Sequence, residues 1–167
     1  LVQCEAIAEA SARVEALVFG PGDFAASVGM PLTAIGTPDR WDPSYPGHRW
    51  DYPLQCMLVA ARAAGVRAID GPYADFRNLD GFRASCLTSR ALGYDGKWCI
   101  HPDQVSIAND VFSPDAAELA WAAEVVSANR EAEREGRGSF ALNGQMVDAA
   151  TLRMAAATLA RARRTSN

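Results

Sequence analysis

Lysine is all but missing from this chain. Lys97 is the single lysine among 16 lysines and arginines, and histidine occurs only at His48 and His101. Against 20 acidic residues this leaves a net charge of −4, so the sequence lacks the basic excess that nucleic acid or an anionic membrane surface would attract. The one basic cluster, Arg161, Arg163 and Arg164, reads as a solvated helix end. The four cysteines, Cys4, Cys56, Cys86 and Cys99, contain no CxxC pair, and neither histidine belongs to an HxxH or HxxxH spacing, which removes the usual zinc patterns. Three of those thiols fall in segments that read as helix or strand interior, and reduced, buried thiols are expected. No apolar run reaches the ~18 residues of a membrane span, and no basic-then-apolar segment opens the chain. The expectation is a cytoplasmic globular protein with neither nucleic acid nor membrane as a partner.

What is present is a hydrophobic content of 49% over 167 residues, enough for one sizeable core, in a repeating order. Leu1 to Ala12 read as a helix without a start signal, and Ala16 to Phe19 as a buried strand running into Gly20-Pro21-Gly22-Asp23. The stretch Val28 to Trp50 interleaves four prolines with Trp41, Tyr45 and Trp50; so aromatic a loop reads as a lid or an interface. Pro53 suits the first turn of a helix with Leu54, Met57, Leu58 and Ala61 on one face, closed by Gly65. Val66 to Asp70 is a second strand. Asn78 caps a helix carrying Phe82, Cys86 and Leu87, which Gly93 ends. Lys97 to Ile100 form a third strand, entering His101-Pro102-Asp103-Gln104 and another helix.

Strand and helix alternating at roughly thirty-residue spacing predict βαβ units and a parallel sheet, with all three strand ends facing one side. Three parallel strands leave a bare edge and an uncovered face. A (β/α)8 barrel takes about 250 residues, so the expected fold is α/β, the carboxy-terminal portion of such a barrel. About three β/α units occupy residues 1–112, with the missing half upstream. Ser113-Pro114-Asp115 opens a long connecting helix over 113–136, with Ser113 as cap and Pro114 at the first helical position, broken by Gly136-Arg137-Gly138. Residues 137–167 form a helical carboxy-terminal lid: a short segment turning at Asn143-Gly144, then an Ala-rich helix with Leu152, Met154 and Leu159, headed by Asp148.

The carboxylates are the candidates for chemistry. Asp23 stands at a strand's carboxyl end, where α/β enzymes keep their sites, and is either a metal ligand or the cap of the next helix. Asp148 reads from the local sequence as the N-cap of the last helix. Asp70 and Asp75 read as structural turn acids. His101 and His48 are not assigned a catalytic role, since a His beside Pro serves as readily to orient a loop as to move a proton.

Four segments together carry a resemblance: Gly20 to Ser27 (GPGDFAAS), Ala68 to Phe76 (AIDGPYADF), Gly96 to Gln104 (GKWCIHPDQ) and Asn143 to Asp148 (NGQMVD). In this order they resemble the HpcH/HpaI aldolase and citrate lyase β-subunit family, most closely its malyl-CoA and β-methylmalyl-CoA lyases. The resemblance implies that Asp23 is one Mg2+ ligand and that Pro21, Gly22 and Asp23 bind the carboxylate of a small acid. It implies that Ile100, His101 and Pro102 line the channel for the CoA thioester, and that Asp148 is a catalytic lid aspartate reaching a neighbouring subunit in a homo-oligomer, a trimer or hexamer. The family's other metal ligand, a Glu, and its substrate-binding Arg lie upstream of Leu1.

The implied activity is Mg2+-dependent retro-Claisen cleavage of a 3-hydroxyacyl-CoA such as malyl-CoA to acetyl-CoA and glyoxylate. Its partners are a CoA thioester and a 2-oxo acid. The site is completed by the missing half and by a neighbouring subunit, so the chain by itself is expected to be inactive. The alternatives are a non-catalytic assembly or lid module of a citrate lyase-like complex, and a citramalyl-CoA lyase or thioesterase using the same metal site.

Overall fold

The structure, a computed structural model, describes residues 1–45, 48–136 and 138–165, with 164 and 165 described by their backbone alone. Pro46 and Gly47 of the aromatic loop, Arg137 of the helix-breaking Gly-Arg-Gly and the side chain of Arg164 lie outside the described residues. The chain divides into two compact units, Leu1–Phe112 and Ser113–Asn167.

The first unit is built on three parallel strands, β1 (Ala16–Val18), β2 (Arg67–Asp70) and β3 (Gly96–Lys97), in that order across the sheet. Val18 pairs with Ile69, and Ile69 in turn with Gly96, so the three carboxyl ends lie side by side. The helices are α1 (Cys4–Glu9), α2 (Pro21–Val28), α3 (Asp51–Ala63), α4 (Leu79–Leu92) and α5 (Pro102–Phe112). Period-two alternation sends Leu17 and Ala68 to the helix-facing side, where they join Leu54, Met57 and Leu58 of α3, Phe82 and Cys86 of α4, and Val111 and Phe112 of α5. Val18, on the opposite face, is 50% exposed. Arg62 and Asp95 fix where β2 begins. The Arg62 guanidinium donates to Asp95 Oδ2 at 2.7 Å and to the Gly93 carbonyl at 2.7 Å, while Asp95 Oδ2 also accepts from the Ala68 amide at 2.9 Å.

Several boundaries differ from the sequence expectation. The first helix shrinks from Leu1–Ala12 to Cys4–Glu9, because Gln3 offers no side-chain cap. The third strand ends at Lys97 and not at Ile100. The Trp98 amide makes one more bond, to the Asp70 carbonyl at 2.9 Å; the Ile100 amide is taken by the Gln104 side chain at 2.9 Å, which draws the chain out of the ladder. Leu87 faces solvent while Phe82 and Cys86 are fully buried. All four cysteines are free; Cys86 is buried and the other three only partly, and burial pushes the Cys86 thiol up to about 12.

The aromatic loop is folded, not loose. Arg49 donates to the Pro31 carbonyl at 2.7 Å and pairs with Asp42 at 2.7 Å and with Asp39 at 3.5 Å. Asp39 is buried and accepts from the Thr33 amide and hydroxyl at 2.6 and 2.7 Å and from the Trp41 amide at 3.0 Å. A short 3-10 turn, Asp42–Ser44, sits inside this network. Gly36 holds φ +71°, and a Cβ there would lie 1.9 Å from the Pro72 carbonyl oxygen, so the loop lies directly on the chain that follows β2.

The second unit contains α6 (Ala116–Arg134), the hairpin β4 (Phe140–Leu142) and β5 (Gln145–Val147), and α7 (Ala149–Thr165). The cap of α6 is Asp115, in place of Ser113. Asp115 accepts from the Glu118 amide while Glu118 accepts from the Asp115 amide, each at 2.8 Å, and this reciprocal box outweighs Pro114, the residue before it, in setting the start. Asn143 and Gly144 both take positive φ, 51° and 78°, as a two-residue hairpin turn requires. Ala122, Val125, Val147 and Ala155 form the buried centre, with Leu152 and Leu159 against it. Met154 is 64% exposed, a correction to the expected apolar set: it stands two residues from Leu152, about 200° round the helix. No helix among the described residues is long and apolar enough to cross a membrane.

Candidate active site

Asp23 sits in the first turn of α2, directly beyond the end of β1. The expected Gly-Pro-Gly turn is already helix: Gly20 occupies the cap position and Pro21 the first helical one. Asp23 is therefore not the cap, which removes one of its two readings. Its carboxylate folds back over Gly20, where a built Cβ would come within 3.2 Å of Asp23 Oδ2. It is exposed, with no hydrogen bond or ion pair among the described residues. The amides of Gly22 and Asp23 belong to the helix's opening turn and have no intrahelical acceptor, so this turn presents a carboxylate beside N–H groups that favour an anion.

The chain leaving β3 forms the second part. Pro102 starts α5, and His101 stacks on Phe76 with ring centroids 4.8 Å apart and planes 19° from parallel. His101 Nδ1 accepts from the Asp103 amide at 3.3 Å and lies 3.5 Å from the Asp103 carboxylate. Both contacts orient the ring, in keeping with a loop-shaping role. Behind it, Gln104 is fully buried, accepts from the Ile100 amide at 2.9 Å and donates to the Tyr73 carbonyl at 3.1 Å. One side chain thus ties the loop after β2 to the loop after β3. Gln104 has little local signature in the sequence beyond its place four residues past Ile100, from which it reaches back over one helical turn.

The third part joins strands β2 and β3. Asp70 accepts from the Lys97 ammonium and the Ser89 hydroxyl through Oδ2, and from the Gly71 amide at 2.7 Å through Oδ1. Asp70 is thereby a buried ion-pair member, while Asp75 is an exposed turn acid whose carbonyl accepts from the Asn78 amide at 3.0 Å. Beside the pair a cavity of about 320 Å³ opens between α3, α4 and the strand ends, walled by Phe19, Trp50, Leu54 and Tyr73, with exposed His48 at its edge. Asp23, Ile100 and His101 do not line it.

In the second unit Asp148 heads α7. Its Oδ1 accepts from the Ala150 amide at 2.9 Å, the Thr151 amide at 2.9 Å and the Thr151 hydroxyl at 3.1 Å; no bond to Oδ2 is found among the described residues. The Thr151 bonds, with help from Ala150 and Arg153, hold its carboxyl below the usual carboxylate range.

The chain matches the HpcH/HpaI aldolase/citrate lyase family over residues 1–102. It belongs to that family. It is 40% identical over 161 residues, 93% of this chain and 51% of the relative, to the L-malyl-CoA/beta-methylmalyl-CoA lyase of Rhodobacter capsulatus. It is 35% identical over 142 residues, 85% of this chain and 39% of the relative, to the mitochondrial citramalyl-CoA lyase of Rattus norvegicus. The CitE protein of Mycobacterium tuberculosis, solved in complex with magnesium, acetoacetate and coenzyme A, shares the fold at TM-score 0.74 and 29% identity, over 96% of this chain and 56% of that one. The chain spans about half the length of the curated relatives it matches, and its three parallel β/α units are a portion of that family's fold.

A divalent metal suits the Asp23 turn. A hard cation of the Mg2+ type is often held by one or two protein carboxylates, with water and substrate oxygens filling its shell. Asp23 offers a carboxylate free of internal partners, and Gly20 beneath it carries no side chain to crowd that carboxylate. Among the described residues no cluster of three or more His, Cys, Asp or Glu exists to do more.

Proposed function

We propose that the protein is a Mg2+-dependent carbon–carbon lyase that cleaves a 3-hydroxyacyl-CoA of the malyl-CoA type to acetyl-CoA and glyoxylate. The observation that carries this is the Asp23 turn: an unpaired carboxylate and two free amides at the carboxyl end of a parallel strand, in a chain 40% identical to a malyl-CoA lyase. When bound, the metal polarises the hydroxyl and carboxylate oxygens of the substrate.

The chain's own groups take the remaining parts. The Gly22 and Asp23 amides bind the carboxylate of the small acid, and Asp23 holds the metal. Ile100, His101 and Pro102 line the thioester's path, kept in shape by Gln104. Asp148 moves the proton. Its capping bonds favour the charged form, and Oδ2 is the oxygen left to receive the substrate's hydroxyl proton. As the hydroxyl oxygen becomes the carbonyl of glyoxylate, the carbon–carbon bonding pair passes to the thioester as an enolate. Protonation of the enolate carbon gives acetyl-CoA. Acid–base help of this kind contributes ~10²–10⁴-fold. The same low basicity makes Asp148 a ready donor once protonated.

On this reading the protein is a cytoplasmic homo-oligomer, a trimer or hexamer, in which the second unit is a lid and its Asp148 serves a neighbouring subunit's site. In the full protein, Asp148→Asn should abolish turnover of malyl-CoA while Mg2+ binding stays intact, and near-normal turnover would remove Asp148 from the mechanism. Asp23→Asn should weaken Mg2+ binding itself. A relative at 39% identity is a (3S)-malyl-CoA thioesterase of Cereibacter sphaeroides, so the assay must identify products: malate and free CoA in place of glyoxylate and acetyl-CoA would favour hydrolysis.

A further inference from the structure

The buried pair Lys97–Asp70 has no part in the chemistry above, yet it spends the chain's single lysine in a side chain that is 2% exposed. A buried ion pair is seldom more stabilising than well-packed apolar residues of the same volume, so its position asks for a geometric reason. Its contacts supply one. Lys97 ends β3 and Asp70 ends β2; Ser89 of α4, which also bonds the Ser85 carbonyl at 2.9 Å, adds a third anchor. The other oxygen of Asp70 fixes the amide of Gly71 at 2.7 Å. Gly71 in turn lies hard against the turn after β1. A Cβ built on it would be 2.5 Å from Pro21 Cδ and 2.7 Å from the Phe19 carbonyl oxygen. Contacts therefore run without a break across all three strand ends, from Lys97 through Asp70 and Gly71 to Pro21, two residues from Asp23.

We propose that Lys97 and Asp70 are positioning residues that, through Gly71, set where the first turn of α2 holds the Asp23 carboxylate. The inference rests on Asp23 being a metal ligand. It makes Gly71 the contact point: no side chain fits there without moving Pro21, and with it the Gly22 and Asp23 amides. Displacement of a binding group by ~1 Å can cost a reaction about 10²-fold, so the brace controls activity without touching substrate.

The test uses the full protein and Mn2+ as the probe, with free Mn2+ read by electron paramagnetic resonance. Gly71→Ala should weaken Mn2+ binding by about tenfold or more and lower kcat/KM by about 10²-fold, with the circular dichroism spectrum kept. Lys97→Met alone leaves Asp70 buried and unpaired and can fail to fold, so Lys97→Met/Asp70→Leu is the second variant. It removes both charges, frees the Gly71 amide, and should still fold but bind Mn2+ several-fold more weakly. A role in stability only would lower melting temperatures and leave Mn2+ affinity unchanged in both variants, and that result would overturn the proposal. Absence of Mn2+ binding by the unsubstituted protein, or unchanged binding in Asp23→Asn, would instead refute the metal reading on which the proposal stands.

Discussion

Replacing Gln104 by Met removes the two polar ends of a fully buried side chain and keeps its length and stem. Two partners are orphaned: the Tyr73 carbonyl, which accepts from Nε2 at 3.1 Å, and the Ile100 amide, which donates to Oε1 at 2.9 Å. A buried group left without its hydrogen bond costs about 1–3 kcal/mol. Ile100 is 47% exposed, so water reaches its amide and that half falls at the low end, whereas Tyr73 is buried and its half does not. The sum is about 2–4 kcal/mol. For a cooperative unit of this size, each kcal/mol moves the melting temperature by roughly 3–5 °C, which predicts a fall of about 6–20 °C. Because Gln104 holds the Ile100–Pro102 loop to the loop after β2, the proposed function predicts that the full protein shows a raised KM for the thioester with kcat little changed. Gln104→Glu is the sharper companion. Its carboxylate still accepts from Ile100 but faces the Tyr73 carbonyl with no donor, so it should be the less stable variant at neutral pH and recover on acidification, when the protonated acid can donate. A Gln104→Met protein melting within about 2 °C of the parent, or one that loses kcat at unchanged KM, would refute this account of the loop.

Other consequences can be measured separately. Asp115→Ala breaks the reciprocal cap of α6 and should cost the second unit about 1–2 kcal/mol, read by thermal or urea unfolding followed by helix circular dichroism. Asp39 has its carboxyl lowered from an ordinary 3.8 to about 2, chiefly by the Thr33 bonds. The carboxylate is favoured in the fold, so its contribution is fully present above pH 3.8 and should disappear as pH falls towards about 2, reported by the fluorescence of Trp41 and Trp50. Gly36→Ala combines a positive φ with a Cβ driven into the Pro72 carbonyl, and should destabilise the first unit far more than Gly29→Ala, where φ is equally positive but nothing lies within 4 Å; paired thermal melts compare them.

Much of the frame was legible because it is locally coded. The strands at Ala16–Val18 and Arg67–Asp70 are signalled by the apolar runs Ala16 to Phe19 and Ala68-Ile69, each followed within two residues by a Gly-Pro pair. The α3 stripe of Leu54, Met57, Leu58 and Ala61 follows the helical period and is buried throughout. Asn78 caps through its own side chain, and Asn143-Gly144 can hardly avoid a hairpin turn. The sequence misleads where two local signals compete. Ser113-Pro114 offers a good start to α6, but only Asp115 has a Glu at the reciprocal position. Met154 and Leu87 are as apolar as their neighbours, and only the direction of the helix face separates them from Leu152 and Cys86.

The sequence by itself determined the order of strands and helices, the parallel sense of the sheet and the segments that ally the chain with its family. These follow from periodicity, caps and turn residues acting over a few positions, and from motifs whose order survives in any representation of the chain. Only the tertiary structure decided which polar residues meet: Lys97 with Asp70 across 27 positions, Gln104 with Tyr73 across 31, Arg49 with Pro31 across 18, and Gly71 against Pro21. Such pairs have no local signature. A buried charge or amide must find a partner, but which of the possible partners it finds is set by how neighbouring strands place their ends, and parallel pairing joins residues that lie a whole β/α unit apart in the chain.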